Sequence, residues 1–225
     1  MAAPTVTGSV VWDNLVMKAR SLLLSLILVS IAVAAGITAS LLWRHPAAKQ
    51  DLTTGTRLVP SRALPDFTLI DHRGRKFGLD QLRGHWTLMF FGYTNCPDYC
   101  PTTLTTLAAL EKRLRADKET QLPQVVFMSV DAKRDTPAQL AGYVPYFDAQ
   151  FIGTTAADQP AIESVARQLG VGVVITPGKD GTYTVDHSGE IFAIDPSARL
   201  AAILSGPFTV PALAADWRHL AGASP

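Results

Sequence analysis

The 225-residue chain has only two cysteines, Cys96 and Cys100, which are too few for a scaffold held together by several disulfide bonds. It also lacks an excess of basic residues, because residues 51–225 hold 16 Lys and Arg against 18 Asp and Glu. With that balance no basic surface is dense enough to compete for a phosphate backbone, so nucleic-acid binding is excluded. The hydrophobic fraction of 48% excludes a disordered chain.

Charge is absent from one long stretch, residues 21–43. As a helix, a stretch of this length spans the roughly 30 Å hydrocarbon core of a bilayer. Lys18 and Arg20 precede it, and Trp43 stands at its end, where an interfacial aromatic residue belongs. We therefore predict a single transmembrane anchor over residues 21–43. A cleaved signal peptide is the alternative, since the small residues at 32–34 resemble a cleavage site.

The predicted anchor separates a short N-terminal tail from a tether and a soluble domain. Residues 1–20 form a short N-terminal tail, and residues 44–63, which contain prolines and show no periodicity, are predicted to be a tether. The tail lacks the character of a mitochondrial transit peptide. We expect a bacterial inner-membrane protein whose soluble domain, residues 64–225, lies in the periplasm.

Apolar runs of strand length alternate with helical periodicity in residues 64–225. The runs at 86–92 and 125–130 are typical of buried strands, and each is followed by a segment with helical spacing of apolar residues. A hairpin and a last helix, from about 210 to 220, complete the order. The pattern predicts one α/β domain with a central mixed sheet and helices on both faces.

The two cysteines lie at a predicted helix start. Proline is tolerated in a helix only in the first turn, so Pro101 requires the helix to begin no earlier than about Asp98. Cys100 then stands at the helix start and Cys96 in the loop before it. The helix dipole and free N–H groups there are expected to lower the pKa of both thiols. Such a pair can form a disulfide or chelate a soft metal ion, and the residues alone leave both open.

Three motifs resemble one family. Residues 90–104, FFGYTNCPDYCPTTL, resemble the C-x-x-x-C-P signature of the SCO/SenC copper-binding proteins. Residues 129–137, SVDAKRDTP, resemble the segment that follows the second buried strand in that family, and residues 185–188, VDHS, resemble the motif that supplies a histidine. The resemblance extends over about residues 64–220. It implies a thioredoxin-like fold that binds copper and helps to assemble the dinuclear copper centre of cytochrome c oxidase.

The resemblance implies a ligand set. Cys96 and Cys100 as thiolates, with neutral His187 as the third ligand, would hold one copper ion per domain, as Cu(I) or Cu(II). His187 is preferred over the other four histidines chiefly because of the VDHS match. Asp131, at the end of a buried strand, is expected to orient a ligand from behind it, or else to be an ordinary turn residue.

These residues predict a membrane-anchored copper chaperone rather than an enzyme. Its expected partners are the copper-bearing subunit of cytochrome c oxidase, a copper donor protein and, as a further candidate, a thiol reductase. The alternative is a thiol–disulfide oxidoreductase or redox sensor that acts through Cys96 and Cys100 without a metal. Zinc is disfavoured because there is no second cysteine or histidine pair with zinc-ligand spacing.

Overall fold

The computed structural model describes Leu23, Leu26 and residues 28–34, all helical and exposed, and then residues 52–222. The predicted tail, most of the predicted anchor and residues 44–51 of the predicted tether lie outside this part of the chain. Of the helices in the described residues, none has both the length and the hydropathy needed to cross a membrane. Residues 50–225 form a compact unit of their own.

Residues 52–222 of this unit contain ten strands and four α-helices. The strands are β1 Gly55–Ala63, β2 Leu69–Asp71, β3 Lys76–Phe77, β4 Thr87–Gly92, β5 Gln124–Ser129, β6 Ile152–Thr155, β7 Val173–Pro177, β8 Tyr183–His187, β9 Ile191–Ile194 and β10 Arg199–Leu204. The helices are α1 Tyr99–Ala116, α2 Pro137–Phe147, α3 Gln159–Leu169 and α4 Val210–Ala221.

Eight strands form one mixed sheet, in the order β1-β10-β9-β4-β5-β6-β2-β3. The central strands β4, β5 and β6 run parallel, and β9 pairs antiparallel with β4. The remaining strands, β7 and β8, pair with each other in a separate two-stranded sheet. The predicted α/β class with a mixed central sheet is confirmed.

Strand β4 lies in the centre of the core, and every residue in it is buried. Its side chains alternate between the two faces of the sheet. Phe90 faces α1, with its ring centroid 6.2 Å from that of Tyr99, whereas Phe91 faces the opposite side, 5.3 Å from Phe192. Both faces of the sheet are therefore covered, which explains the uninterrupted apolar sequence of this strand.

The helix starts follow from short polar residues and prolines. Thr136, Asp158 and Thr209 accept hydrogen bonds from backbone amides in the first turns of α2, α3 and α4, and each of these helices has a proline in its first two positions. Helix α1 differs, because the side chain of Asp98 at its N-cap makes no such bond. Its first turn is capped in another way, which creates part of the candidate site.

The structure differs from the predicted tether at one end. Residues Gly55–Ala63 form β1, which pairs antiparallel with β10 along the edge of the sheet. The strand carries Pro60 and is largely exposed, so it has no apolar alternation that would identify it from the sequence. The folded unit therefore begins before residue 64.

Candidate metal centre

The sheet topology brings the sequence motifs to one edge. Because β4 and β5 are parallel, the loop that carries Cys96 and the turn that carries Asp131 leave the sheet at the same end. Strand β9 runs in the opposite direction, with Ile191 opposite Phe90, so the loop between β8 and β9 reaches that end too. This loop begins at His187, the last residue of β8.

Cys96 caps the helix that begins next to it. The amide of Cys100, the second residue of α1, donates a hydrogen bond to Cys96 Sγ over 3.4 Å. Pro101 has no N–H and cannot donate to a capping side chain, so the amide of Cys100 is the donor in this turn that the cap satisfies. Cys96 is partly exposed, whereas the side chain of Cys100 is completely buried. The predicted helix start is thereby confirmed.

Cys100 lies against the end of β4 because Gly92 has no side chain. A Cβ atom at Gly92 would stand 2.9 Å from Cys100 Sγ and 2.6 Å from a ring carbon of Phe127, closer than real contacts allow. The close approach of backbone and sulfur removes water from the thiol. Burial therefore raises the pKa of Cys100 well above the ordinary value of a thiol, and the neighbouring Cys96 side chain adds to the increase.

The expectation of a lowered pKa is therefore wrong for Cys100. The helix N-terminus stabilises a nearby negative charge by only about 0.3–1 kcal/mol at an exposed position. Desolvation of a fully buried thiolate costs more than this. The sequence indicates the position of Cys100 in the helix but not the depth at which the first turn is buried.

His187 presents one ring nitrogen to Cys100. Its Nδ1 lies 2.8 Å from the carbonyl oxygen of Ser188, which can only accept, so Nδ1 carries the proton. In the neutral ring the lone pair is then on Nε2, which lies 3.7 Å from Cys100 Sγ. Phe90 and Tyr93 pack edge-on against the imidazole, with centroids 6.3 and 6.0 Å away. The tautomer, the ring orientation and the facing sulfur all suit a metal ligand.

Asp131 does not contact Cys96, Cys100 or His187 through any hydrogen bond in the described residues. Its buried carboxylate pairs with Arg134 and accepts a hydrogen bond of 2.7 Å from the Tyr183 hydroxyl. Burial and this bond raise the pKa of Tyr183 to about 12, so the hydroxyl keeps the proton that it donates. Since Tyr183 begins the strand that ends in His187, the contact of Asp131 with the site runs through this strand.

The guanidinium of Arg134 completes this connection. It lies over the ring of Tyr183, 3.8 Å from the centroid, and faces the ring of Tyr93 at 5.6 Å. Arg134 also donates to the backbone carbonyl oxygen of Tyr183. The β7–β8 hairpin is thus attached to the sheet through one acidic and one basic residue and two aromatic rings.

Asp135 has a role that the sequence reasoning missed. It is fully buried and accepts hydrogen bonds from the amide and hydroxyl of Thr94 and from the hydroxyl of Ser129, at 2.9, 2.6 and 2.7 Å. Burial raises the pKa of this carboxyl group. Asp135 holds the loop before Cys96 against the end of β5, and the only sequence signal for it is its place within the 129–137 motif.

The other histidines are placed elsewhere. His72 is buried in the turn between β2 and β3, where its Nδ1 accepts a hydrogen bond from the amide of Gly153. His85 precedes β4, His219 lies in the last turn of α4, and His45 is outside the described residues. Within the described residues, no group of three or more His, Cys, Asp or Glu side chains is already gathered as a metal site. Cys100 contacts both of the other predicted ligands, Cys96 through its backbone amide and His187 through its sulfur.

Comparison with known proteins decides the family. The family model described as SCO1/SenC matches residues 56–222, which is most of the chain and includes all three motifs. The chain belongs to the SCO1/SenC family. This confirms the resemblance noted in the sequence, and the matched region begins near the start of β1.

Solved structures of other SCO proteins share the fold. ScoI of Arabidopsis thaliana, solved with copper bound, is 32% identical with a TM-score of 0.67, and the match covers 71% of this chain and 98% of that one. ScoI of Bradyrhizobium japonicum, also solved with copper bound, is 34% identical with a TM-score of 0.62, covering 70% and 98%.

The match covers different shares of the curated relatives. A protein of Stutzerimonas stutzeri, whose name refers to copper binding, is 36% identical over 68% of this chain and 74% of its own length. The mitochondrial SCO2 homologue of mouse is 37% identical over 58% of this chain. The match spans only about half of the mouse protein, 51%.

The different burial of the two cysteines predicts different reactivity. In the reduced protein at neutral pH, we expect iodoacetamide to modify Cys100 at least about tenfold more slowly than Cys96, because Cys100 is inaccessible and its thiolate is scarce. Since burial raises its pKa, the Cys100 rate should still be increasing at a pH where an ordinary thiol has reached its maximum. Mass spectrometry of the modified peptides measures both rates. In guanidinium the two rates should converge, and equal rates in the folded protein would contradict the described burial.

Proposed function

We propose that this SCO1/SenC protein is a copper chaperone that holds one copper ion with Cys96, Cys100 and His187. The observation that carries the proposal is the distance of 3.7 Å between Cys100 Sγ and His187 Nε2. For metal–sulfur and metal–nitrogen bonds of about 2.3 and 2.0 Å, as Zn²⁺ makes, two ligands at an angle of about 120° are about 3.7 Å apart. The sulfur of Cys100 and the Nε2 atom of His187 are thus already spaced as two ligands of one first-row metal ion.

The donor set suits copper. Two soft thiolates favour Cu(I), and the imidazole nitrogen makes Cu(II) acceptable as well. A buried Cys100 thiolate is unfavourable without a partner of opposite charge. A bound metal ion replaces the thiol proton and compensates the negative charge of the buried sulfur. The relatives whose structures contain copper support the same choice of metal.

The exposure of the ligands supports a role in transfer. Cys100 is enclosed, whereas Cys96 and His187 are partly exposed at the rim. Three protein ligands leave a position that a ligand of another protein can occupy, and the partly exposed Cys96 is the one that a partner can replace first. We propose the copper-bearing subunit of cytochrome c oxidase as the recipient, a second protein as the copper donor, and assembly of the dinuclear copper centre as the process.

We further propose that residues 21–43 anchor the protein in the bacterial inner membrane, with the copper domain in the periplasm. The uncharged sequence and its flanking residues support this proposal. We expect the full-length protein to sediment with membranes and to resist extraction at alkaline pH, as judged by immunoblotting of the fractions. Recovery of a soluble protein cut near residue 34 would instead favour the signal peptide.

A redox function is the second candidate, and one contact favours it. The sulfur of Cys96 accepts a hydrogen bond from the backbone amide of Cys100, which holds the two cysteines next to each other, and both cysteines are free. Loss of two electrons and two protons to an external oxidant would join them as a disulfide. The disulfide cannot at the same time supply thiolate ligands, so oxidation would release copper and reduction would restore the site.

Replacing His187 separates the two functions. In His187→Ala, we expect the affinity for Cu(II) to fall by more than about 100-fold, which exceeds the effect of losing a group that merely orients a ligand. Cu(I) affinity should fall much less, since two thiolates can hold Cu(I) without a third donor. Titration of each ion into the reduced protein, followed by thiolate-to-copper charge-transfer absorption and by competition with a chelator for Cu(I), measures both values.

The matched control is His85→Ala, which removes an exposed imidazole before β4 and should leave both affinities unchanged. An unchanged Cu(II) titration in His187→Ala would remove this residue from the site. Absence of 1:1 copper binding by the unmodified protein would leave the redox function as the better account of the cysteine pair.

A further inference from the structure

Tyr99, which lies between Cys96 and Cys100 in the sequence, connects the start of α1 to the loop that follows His187. It is the first residue of α1, directly before Cys100. Its hydroxyl donates a hydrogen bond of 2.8 Å to the carbonyl oxygen of Gly189, although the two residues are 90 positions apart. Gly189 stands two residues after His187 in the loop that leads to β9. One hydrogen bond therefore joins the segments that carry the facing sulfur and nitrogen atoms.

The absence of a side chain at Gly189 makes this contact possible. A Cβ atom there would stand 2.6 Å from the Tyr99 hydroxyl oxygen and 2.7 Å from two of its ring carbons. Real Cβ contacts are not this short, so any other residue would displace either the tyrosine ring or the loop. The backbone φ of Gly189 is not in the left-handed region, so the requirement for glycine comes from the tyrosine and not from a turn.

The ring of Tyr99 reaches His187 by a second route. It packs against Phe90, with centroids 6.2 Å apart, and Phe90 in turn packs edge-on against the imidazole of His187 at 6.3 Å. The Tyr99 hydroxyl also approaches the next loop, where a Cβ at Gly206 would be 3.2 Å away. Tyr99, which is 42% exposed, thus contacts the end of β4 and the histidine loop from the start of α1.

Contacts of this kind, together with the buried side chain of Val185, hold the hairpin that ends in His187. In the described sheets β7 and β8 pair only with each other, so no ladder of backbone hydrogen bonds ties them to the main sheet. On one side of His187 the hairpin is attached through Tyr183 and Asp131. On the other side the attachment is the hydrogen bond from Tyr99 to Gly189. These two attachments lie four residues before and two residues after the imidazole.

We propose that Tyr99 is a positioning residue that, through the carbonyl group of Gly189, holds the His187 imidazole opposite Cys100. The inference rests on the proposed copper site and adds a residue that is neither a cysteine nor a ligand. Cu(II) depends on the nitrogen donor more than Cu(I) does, so loosening the loop weakens Cu(II) binding selectively. A residue with a purely structural role in the fold would change both affinities or neither.

The test uses Tyr99→Phe in the full-length protein in a mild detergent. This substitution keeps the ring and its packing against Phe90 and removes only the hydroxyl. We expect Cu(II) affinity to fall about three- to tenfold, which corresponds to the net loss of one hydrogen bond, with Cu(I) affinity within about twofold of the unmodified value. We expect the charge-transfer band to shift or weaken, because the position of the imidazole is less fixed.

A second measurement needs no copper. In the metal-free protein, hydrogen–deuterium exchange of the peptide that contains residues 186–190 should become at least about threefold faster in Tyr99→Phe, while the peptides of β4 and β5 stay unchanged. The matched control is Tyr146→Phe, which removes a hydroxyl from a tyrosine that is 85% exposed. It should alter neither copper binding nor exchange.

Gly189→Ala provides a variant that perturbs the same contact from the other side. The added methyl group collides with the Tyr99 ring, so we expect a larger loss of Cu(II) affinity than in Tyr99→Phe and a similar increase in exchange. Unchanged Cu(II) affinity together with unchanged exchange at residues 186–190, in either variant, would overturn the role of Tyr99. If the unmodified protein binds no copper, the proposed function fails, and the exchange measurement alone then decides whether Tyr99 holds the histidine loop.

Discussion

The hydrogen bond from the Cys100 amide to the Cys96 sulfur determines how the candidate site is built. Pro101 has no N–H, and the side chain of Asp98 does not cap the helix, so the sulfur of Cys96 takes the place that a Thr or Asp oxygen has in the other three helices. This interaction fixes the loop cysteine beside the helix cysteine. The absence of a side chain at Gly92 lets Cys100 sink against β4, where burial raises its pKa. A metal ion that replaces the proton would compensate the charge of the buried thiolate, so the same burial would favour metal binding.

The histidine side of the site is held in a different way. His187 belongs to a hairpin outside the main sheet, and the hairpin is attached through Tyr183 to Asp131 and through Gly189 to Tyr99. The cysteine side consists of the end of β4, the start of α1 and the loop between them, which the hydrogen bond from Cys100 to Cys96 connects to the helix. The histidine side depends on a few side-chain contacts, so small changes at those contacts should alter the nitrogen donor without altering the sulfur donors.

The sequence predicted the features that depend on local pattern. The two buried parallel strands, β4 and β5, were evident from continuous apolar runs, and the start of α1 followed from Pro101. The strand β1 was missed because it is an exposed edge strand with a proline, and the sequence analysis did not identify β6 or the largely exposed β7 either. Family resemblance, rather than periodicity, pointed to His187.

The errors at the site have a common physical cause. The expected low pKa of Cys100 came from its place in the helix, whereas the actual direction is set by the packing of the helix on Gly92 and Phe127. The carboxylate of Asp131 bonds to Tyr183 and Arg134, which the sequence did not indicate. The contacts of Tyr183 and Tyr99 join residues 52 and 90 positions apart, and no local pattern in the sequence reports such pairs.

The central claim concerns the atoms that surround the metal. X-ray absorption spectroscopy at the copper edge, on protein reduced and loaded with one equivalent of copper, counts those atoms and identifies them directly. The account predicts two sulfur donors at about 2.3 Å and one imidazole nitrogen at about 2.0 Å, by analogy with the bond lengths of zinc. A copper ion surrounded by nitrogen and oxygen alone, or by a single sulfur, would contradict the assignment of Cys96, Cys100 and His187.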